Sequence, residues 1–258
     1  MTIDTLWQDI EAKIAQYNRL ALSDVVDYQK LYLYSLITHS TAIEGSTLTE
    51  LDTQLLFDDG ITAKGKPLTH HLMNEDLKNA YLWVMEQAKH KTPVSTAFLR
   101  EANARIMKST GTVIDAAAGS FDSSRGDFRL CNVRAGFGGE SYNNFSKVPE
   151  QTAELAHTLR NTIDSPKELR DIYNMSFDAH LNLVTIHPWV DGNGRTARLL
   201  MNYLQLYHRL VPAKVYKEDK ADYITALITS RQKDDGGSFR VFMAEKLLKM
   251  LDEETEKR

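Results

Sequence analysis

The sequence predicts an essentially all-α protein, and three observations support that. Apolar side chains recur at three- and four-residue intervals over most of the chain. Helix start and stop signals punctuate those stretches. Strand-type patterning is confined to FRLCNV at 128–133, which has the look of a short strand or one arm of a hairpin.

The elements follow in order. Residues 5–22 and 26–44 carry helical spacing, and Gly45 stops the second helix. Thr47 and Glu50 have the spacing of a capping box, so a helix is expected from there to about Phe57. DDGITAKGKPL is a loop, and HHLMNEDLKNAYLWVMEQA resumes the helical period. Another helix is expected from Ser95 to Met107. From 109 to about 150 the chain turns rich in Gly, Ser and Asn and loses periodicity; a loop this long in a compact domain is usually functional or disordered. Helical spacing returns at 150–163. In SPKE, Ser165 as cap, Pro166 at the first helical position and Glu168 three after the cap predict a helix running to about Ile186. It should bury Tyr173, Phe177, Leu181 and Val184. The next is expected from Asn193 to Arg209, with Leu199, Leu200, Tyr203, Leu206 and Leu210 inward, and helices at 219–231 and 238–254 complete the set.

Bulk properties exclude several functions. A length of 258 residues suits one large domain or a small one fused to a medium one. With 31 basic and 35 acidic side chains the net charge is −4, which supports neither a nucleic-acid platform nor a binder of anionic membranes. Any phosphate binding must be local. Cys131 is the single cysteine, so no internal disulfide and no cysteine-rich metal site can form. The start, MTIDTLWQDIEAK, does not read as a secretory signal, and LYLYSLI at 31–37 is too short to span a bilayer. A cytoplasmic protein is the default expectation.

The densest chemistry is HPWVDGNGRTAR at 187–198, between two expected helices. The second opens on Gly192, Asn193 and Gly194. Unpaired N–H groups at a helix start, the positive end of its dipole and glycines without Cβ together make an anion site, with phosphate the natural ligand. Arg195 and Arg198 follow one turn apart. Positive charge there opposes the dipole by ~0.3–1 kcal/mol each, so the pair implies a polyphosphate or a buried acid. Asp191 can hold Mg²⁺ together with phosphate oxygens, and His187 can accept a proton near neutral pH. Taken singly, each has an ordinary structural reading. Together they describe transfer of a phosphate-bearing group to a nucleophile.

This stretch resembles the signature of the Fic family, HPFx(D/E)GNGRxxR, with Trp189 in place of the usual Phe as a packing variant. HLNLVTIHPW resembles the helix before the motif, with His180 in a structural position. The resemblance runs from about 95 to 235 and implies a Fic-type helical core at 95–258, preceded by an N-terminal helical region at 1–94. It also implies transfer of AMP from ATP to a Ser, Thr or Tyr hydroxyl of a target protein, releasing pyrophosphate. By motif position, His187 would be the base and Asp191 the Mg²⁺ ligand. Gly192, Asn193 and Gly194 would form the anion hole. Arg195 and Arg198 would grip the β- and γ-phosphates, with Thr196 and Ala197 between them in the nucleotide-binding stretch. GDFRLCNVRAG at 126–136 resembles the family's flap (about 120–145), a short hairpin that would clamp a target through Gly126, Phe128, Arg129, Asn132 and Val133. Arg134 and Ala135 stand where many relatives carry Trp-Ile. Tyr223 resembles an aromatic near the nucleotide.

Glu44 mirrors the arginines. It closes a helix just before Gly45, where a carboxylate meets the negative end of the dipole, again at ~0.3–1 kcal/mol. A Glu44–Arg198 pair would relieve both ends. STAIEG matches the family's inhibitory pattern, (S/T)xxxE(G/N), through Ser40, Glu44 and Gly45, and implies an inhibitory helix at about 26–45. Removal of AMP from a modified protein uses the same site, and a non-catalytic nucleotide-binding protein is the alternative outside enzymes. Transfer of another phosphate-bearing group fits less well, since GNGR is intact. The target and the oligomeric state, a homo-oligomer included, are left open.

Overall fold

The computed structural model describes residues 2–22, 27–134, 141–233 and 235–256. Their regular structure is ten α-helices and one two-stranded sheet, with short 3-10 turns between. The helices are α1 (Ile3–Arg19), α2 (Tyr28–Ile43), α3 (Glu50–Asp59), α4 (Leu68–Lys89), α5 (Thr96–Met107), α6 (Val148–Thr162), α7 (Leu169–Ile186), α8 (Asn193–Tyr207), α9 (Lys220–Lys233) and α10 (Gly237–Glu256). Among the described residues no helix is long and apolar enough to cross a membrane.

The middle of the molecule is α8. It packs on α7, α4, α5 and α2 and is buried on nearly every face, which is how an all-round enclosed helix behaves. Polar residues in its second half are engaged. Asn202 accepts from the Tyr81 hydroxyl and donates to Ala213 O, and Gln205 donates to Ser176 Oγ. Tyr173, Phe177, Leu181 and Val184 on α7 are buried as the period requires, whereas Leu206 and Leu210 are only partly covered. One continuous apolar core runs from Leu6 on α1 to Leu251 on α10.

Two helix starts fall elsewhere than the spacing suggested. The capping box of α3 is Thr49 with Asp52: the Thr49 hydroxyl accepts from Asp52 N and the Asp52 carboxylate accepts from Thr49 N. Thr47 is diverted to His70 on α4, and Glu50 accepts from Ser35 Oγ. Likewise Ser165 does not cap α7. Its N–H donates to Thr162 O and closes α6, and α7 starts after Glu168 with no side-chain cap.

The sheet also lies upstream of its expected place. Val113–Ala116 (β1) pairs antiparallel with Gly119–Asp122 (β2), while 128–133 forms no strand. That segment is anchored to the loop after α7 instead. Arg129 N donates to Pro188 O, and the Phe128 ring packs 6.2 Å from that of Trp189. Of the expected flap, 120–134 and 141–145 are described and Ala135 lies outside. An isolated antiparallel bridge joins Arg134 to Ser141, and Tyr142 N donates to Val133 O.

Gly126 is the tightest joint of this region. It holds φ +66°, and a Cβ there would stand 2.1 Å from Arg100 O. Its own carbonyl accepts from both Arg100 Nε and the Trp189 indole N–H. Gly126→Ala is expected to cost about 2–4 kcal/mol through combined strain and clash, read as a lowered urea midpoint.

Candidate functional site

The stretch 187–192 turns the chain from α7 into α8. His187 takes a left-handed conformation (φ +52°) as the residue that caps the C-terminus of α7, and its N–H donates to Leu183 O. Asn193 staples the turn: its side chain accepts from Trp189 N and donates to Trp189 O. Trp189 is fully buried, and its indole N–H bonds Gly126 O. The aromatic swap in the motif is thus more than a packing change, since a phenyl ring has no such donor. Thr196 accepts from Asn103 Nδ2 and donates to Gly192 O, and Ala197 is buried.

The two arginines face different ways. Arg198, 3% exposed, points to the end of α2. Nε donates to Ser40 Oγ (2.8 Å), Nη2 to Ser40 O (2.9 Å) and Glu44 Oε1 (2.6 Å), and Nη1 to the Tyr223 hydroxyl (3.3 Å). Ser40 O needs that donor because Glu44 N turns to Thr41 O instead. Arg195 is equally buried but lies toward α5. Its Nη2 reaches Met107 Sδ and Asp191 Oδ1, both at 3.3 Å, and its Nε and Nη1 have no hydrogen-bond partner among the described residues. Asp191 is largely exposed, and its Oδ1 also accepts from Gly192 N.

The Glu44 carboxylate sits over the first turn of α8. A Cβ on Gly194 would come 2.3 Å from Glu44 Oε1 and 3.1 Å from Arg198 Nη1, so the approach requires glycine there. Burial pushes the Glu44 carboxyl up, but Arg198, by charge and hydrogen bond, with Arg195 and Lys220, holds it below its usual value.

A cavity of about 500 Å³ opens beside this pair, lined by Glu44, Tyr142, His187, Gly194, Arg198 and Tyr223 and by one face of α9. The Tyr223 hydroxyl bonds His180 Nε2 at 2.9 Å, and burial raises the phenol to about 12. His180 is enclosed against Phe239, and burial holds it neutral. Burial lowers His187 to about 4. The Val184 carbonyl and Glu44 oppose that shift, while Arg129 and Arg231 add to it. At pH 7 the imidazole is neutral and able to take a proton.

Two of the residues expected in a flap hold loop backbone in place. Arg129 is fully buried and donates to three carbonyls: His187 O from Nε, Cys131 O from Nη1 and Asn143 O from Nη2. Asn132 Oδ1 accepts from Phe145 N. Sequence reasoning missed Tyr142, Lys220 and Arg231. Tyr142 lies in an aperiodic stretch with no signal to find. On α9, however, Lys220, Tyr223, Ile224, Leu227, Ile228 and Arg231 form a helical stripe with a cation at each end.

Residues 93–205 match the family model described as Fic/DOC family. The chain is 27% identical over 206 residues to the protein adenylyltransferase fic-1 of Caenorhabditis briggsae, covering 76% of this chain and 36% of that protein. It is 28% identical over 207 residues to the protein adenylyltransferase Fic of Drosophila willistoni, covering 77% and 37%. The match spans little more than a third of the length of these relatives. Among solved structures, a Fic domain containing signaling protein from Bacteroides thetaiotaomicron shares the fold with a TM-score of 0.80, at 21% identity over 95% of this chain and 94% of that one.

The lowered Glu44 value has a consequence for stability. A carboxylate with a depressed folded value stabilises the fold above its unfolded value, about 4.3, and loses that contribution as pH falls through the folded value. Wild type should therefore exceed Glu44→Gln in urea stability above about pH 4.3, with the difference closing in more acidic solution. A difference that does not vary with pH would mean that the Glu44–Arg198 contact carries no charge.

Proposed function

Because the chain carries a Fic/DOC family domain, we propose that it transfers AMP from ATP to a Ser, Thr or Tyr hydroxyl of a target protein and that Glu44 holds this activity down. The name of the matched relatives, protein adenylyltransferase, supports the reaction class. The observation that carries the reading is the Glu44 carboxylate seated on Arg198 and over Gly194. An acid there occupies the place and the counter-charge that a polyphosphate would use.

In the reaction, neutral His187 takes the proton of the target hydroxyl. The oxygen forms a bond to the α-phosphorus while the bond to the bridging oxygen of the β-phosphate breaks, and pyrophosphate leaves. The first N–H groups of α8 and the Arg198 guanidinium stabilise the developing negative charge. No group of three or more His, Cys, Asp or Glu among the described residues could hold a metal unaided. The exposed Asp191 carboxylate fits Mg²⁺ that is shared with substrate phosphates, and such an ion would neutralise charge between them. Arg195, next to Asp191, would reach the phosphates only after turning from Met107.

Removal of AMP is a second reading. It rests on Glu44 lining the same cavity as His187, where a carboxylate is able to orient water.

Glu44→Gly is expected to raise labelling from [α-³²P]ATP by about tenfold or more, the equivalent of ~1.4 kcal/mol. Adding His187→Ala should then lower the rate by about 10²–10⁴-fold. An unchanged rate in folded Glu44→Gly would remove the inhibitory role. Release of AMP from a modified substrate by wild type would favour the second reading.

A further inference from the structure

The imidazole of His187 has a weak tether of its own: Nδ1 stands 3.4 Å from Val184 O, long for a hydrogen bond. Rotation about the ring-bearing bond of histidine is broad and two-fold, so something else must set the ring plane. Tyr142 stacks on it, with centroids 3.8 Å apart and planes 16° from parallel. The Arg231 guanidinium lies over the same tyrosine ring, 4.6 Å from its centroid. Arg129 fixes the backbone on both sides of this stack, holding His187 O and Asn143 O with one guanidinium.

We propose that Tyr142 is a positioning residue for His187: its ring, held by Arg231, sets the imidazole plane so that Nε2 faces the cavity. This rests on His187 being the base of the transfer reaction. A base accepts a proton along a lone pair in the ring plane, so a free rotor loses rate even when its proton affinity suits the task. A ring on the face leaves that in-plane approach open. It also keeps water off the imidazole, consistent with the lowered value at His187. The charged and titratable groups around the imidazole are Glu44 from α2, Arg198 from α8, Lys220, Tyr223 and Arg231 from α9, and Arg129 and Tyr142 from the stretch between α5 and α6.

The test uses the full chain with Glu44→Gly as parent. Tyr142→Phe keeps the ring and should keep the parent's kcat. Tyr142→Ala should lower kcat by about 10- to 100-fold with KM for ATP unchanged. The acid limb of its pH profile should move up from the parent's position toward the ordinary value of about 6.5. NMR titration of the His187 Cε1 proton, without ATP, should show the same rise in Tyr142→Ala and none in Tyr142→Phe. If the alanine variant unfolds, Tyr142→Leu supplies bulk without a planar face and should show the same loss of kcat. A His187 titration that stays at the parent's value without the ring, or a kcat equal to the parent's, overturns the positioning role. A parent that never labels removes the transferase reading, and the titration still decides on the stack.

Discussion

Arg198 is the hinge on which the arrangement turns. It is a guanidinium buried at the positive end of α8, where an unanswered charge would be strongly destabilising. The C-terminal end of α2 answers it with Glu44 and the Ser40 carbonyl, and the Ser40 hydroxyl fills the remaining position. Two helix ends that would each carry an unfavourable charge are joined so that each satisfies the other. The rest follows from that junction. Gly194 must lack a Cβ, α2 must end where it does, and Tyr223 must present its hydroxyl to the same cation.

Much of this was legible in the sequence, for a physical reason. Helices that bury one face write their period into the chain, so α1, α2, α4, α7 and α8 were placed within a few residues. Charges at the wrong ends of helices are uncommon, and Arg198 and Glu44 stood out as a pair wanting each other. What was not legible depended on competition between partners. Thr47 has good capping chemistry, but His70 takes its hydroxyl, and Ser165 is used to close the preceding helix. Arg195 has the same spacing from the motif as the pattern demands, yet its rotamer turns toward Met107. Spacing cannot report a rotamer.

The irregular stretch after α5 shows a different kind of order. It lacks the periodicity that marks a packed helix or strand, and its placement comes from single strong donors. Arg129 gathers three carbonyls from separated parts of the chain, and Trp189 and Arg100 share the carbonyl of Gly126. A buried guanidinium with five N–H groups can organise a loop that has little apolar surface of its own. The hairpin β1–β2 stays at the surface, with Val113 largely exposed.

The Glu44 carboxylate is covalently part of the chain whose cavity it lines. On the proposed function, an anion arriving from solution would compete with a group whose local concentration does not fall on dilution. On the same reading, affinity for that anion would be reduced by a fixed factor, the fraction of molecules in which Glu44 is off Arg198. By reciprocity, whatever drew Glu44 away would tighten anion binding by the same factor. The response on that reading would be set by the ratio of two binding equilibria at one guanidinium.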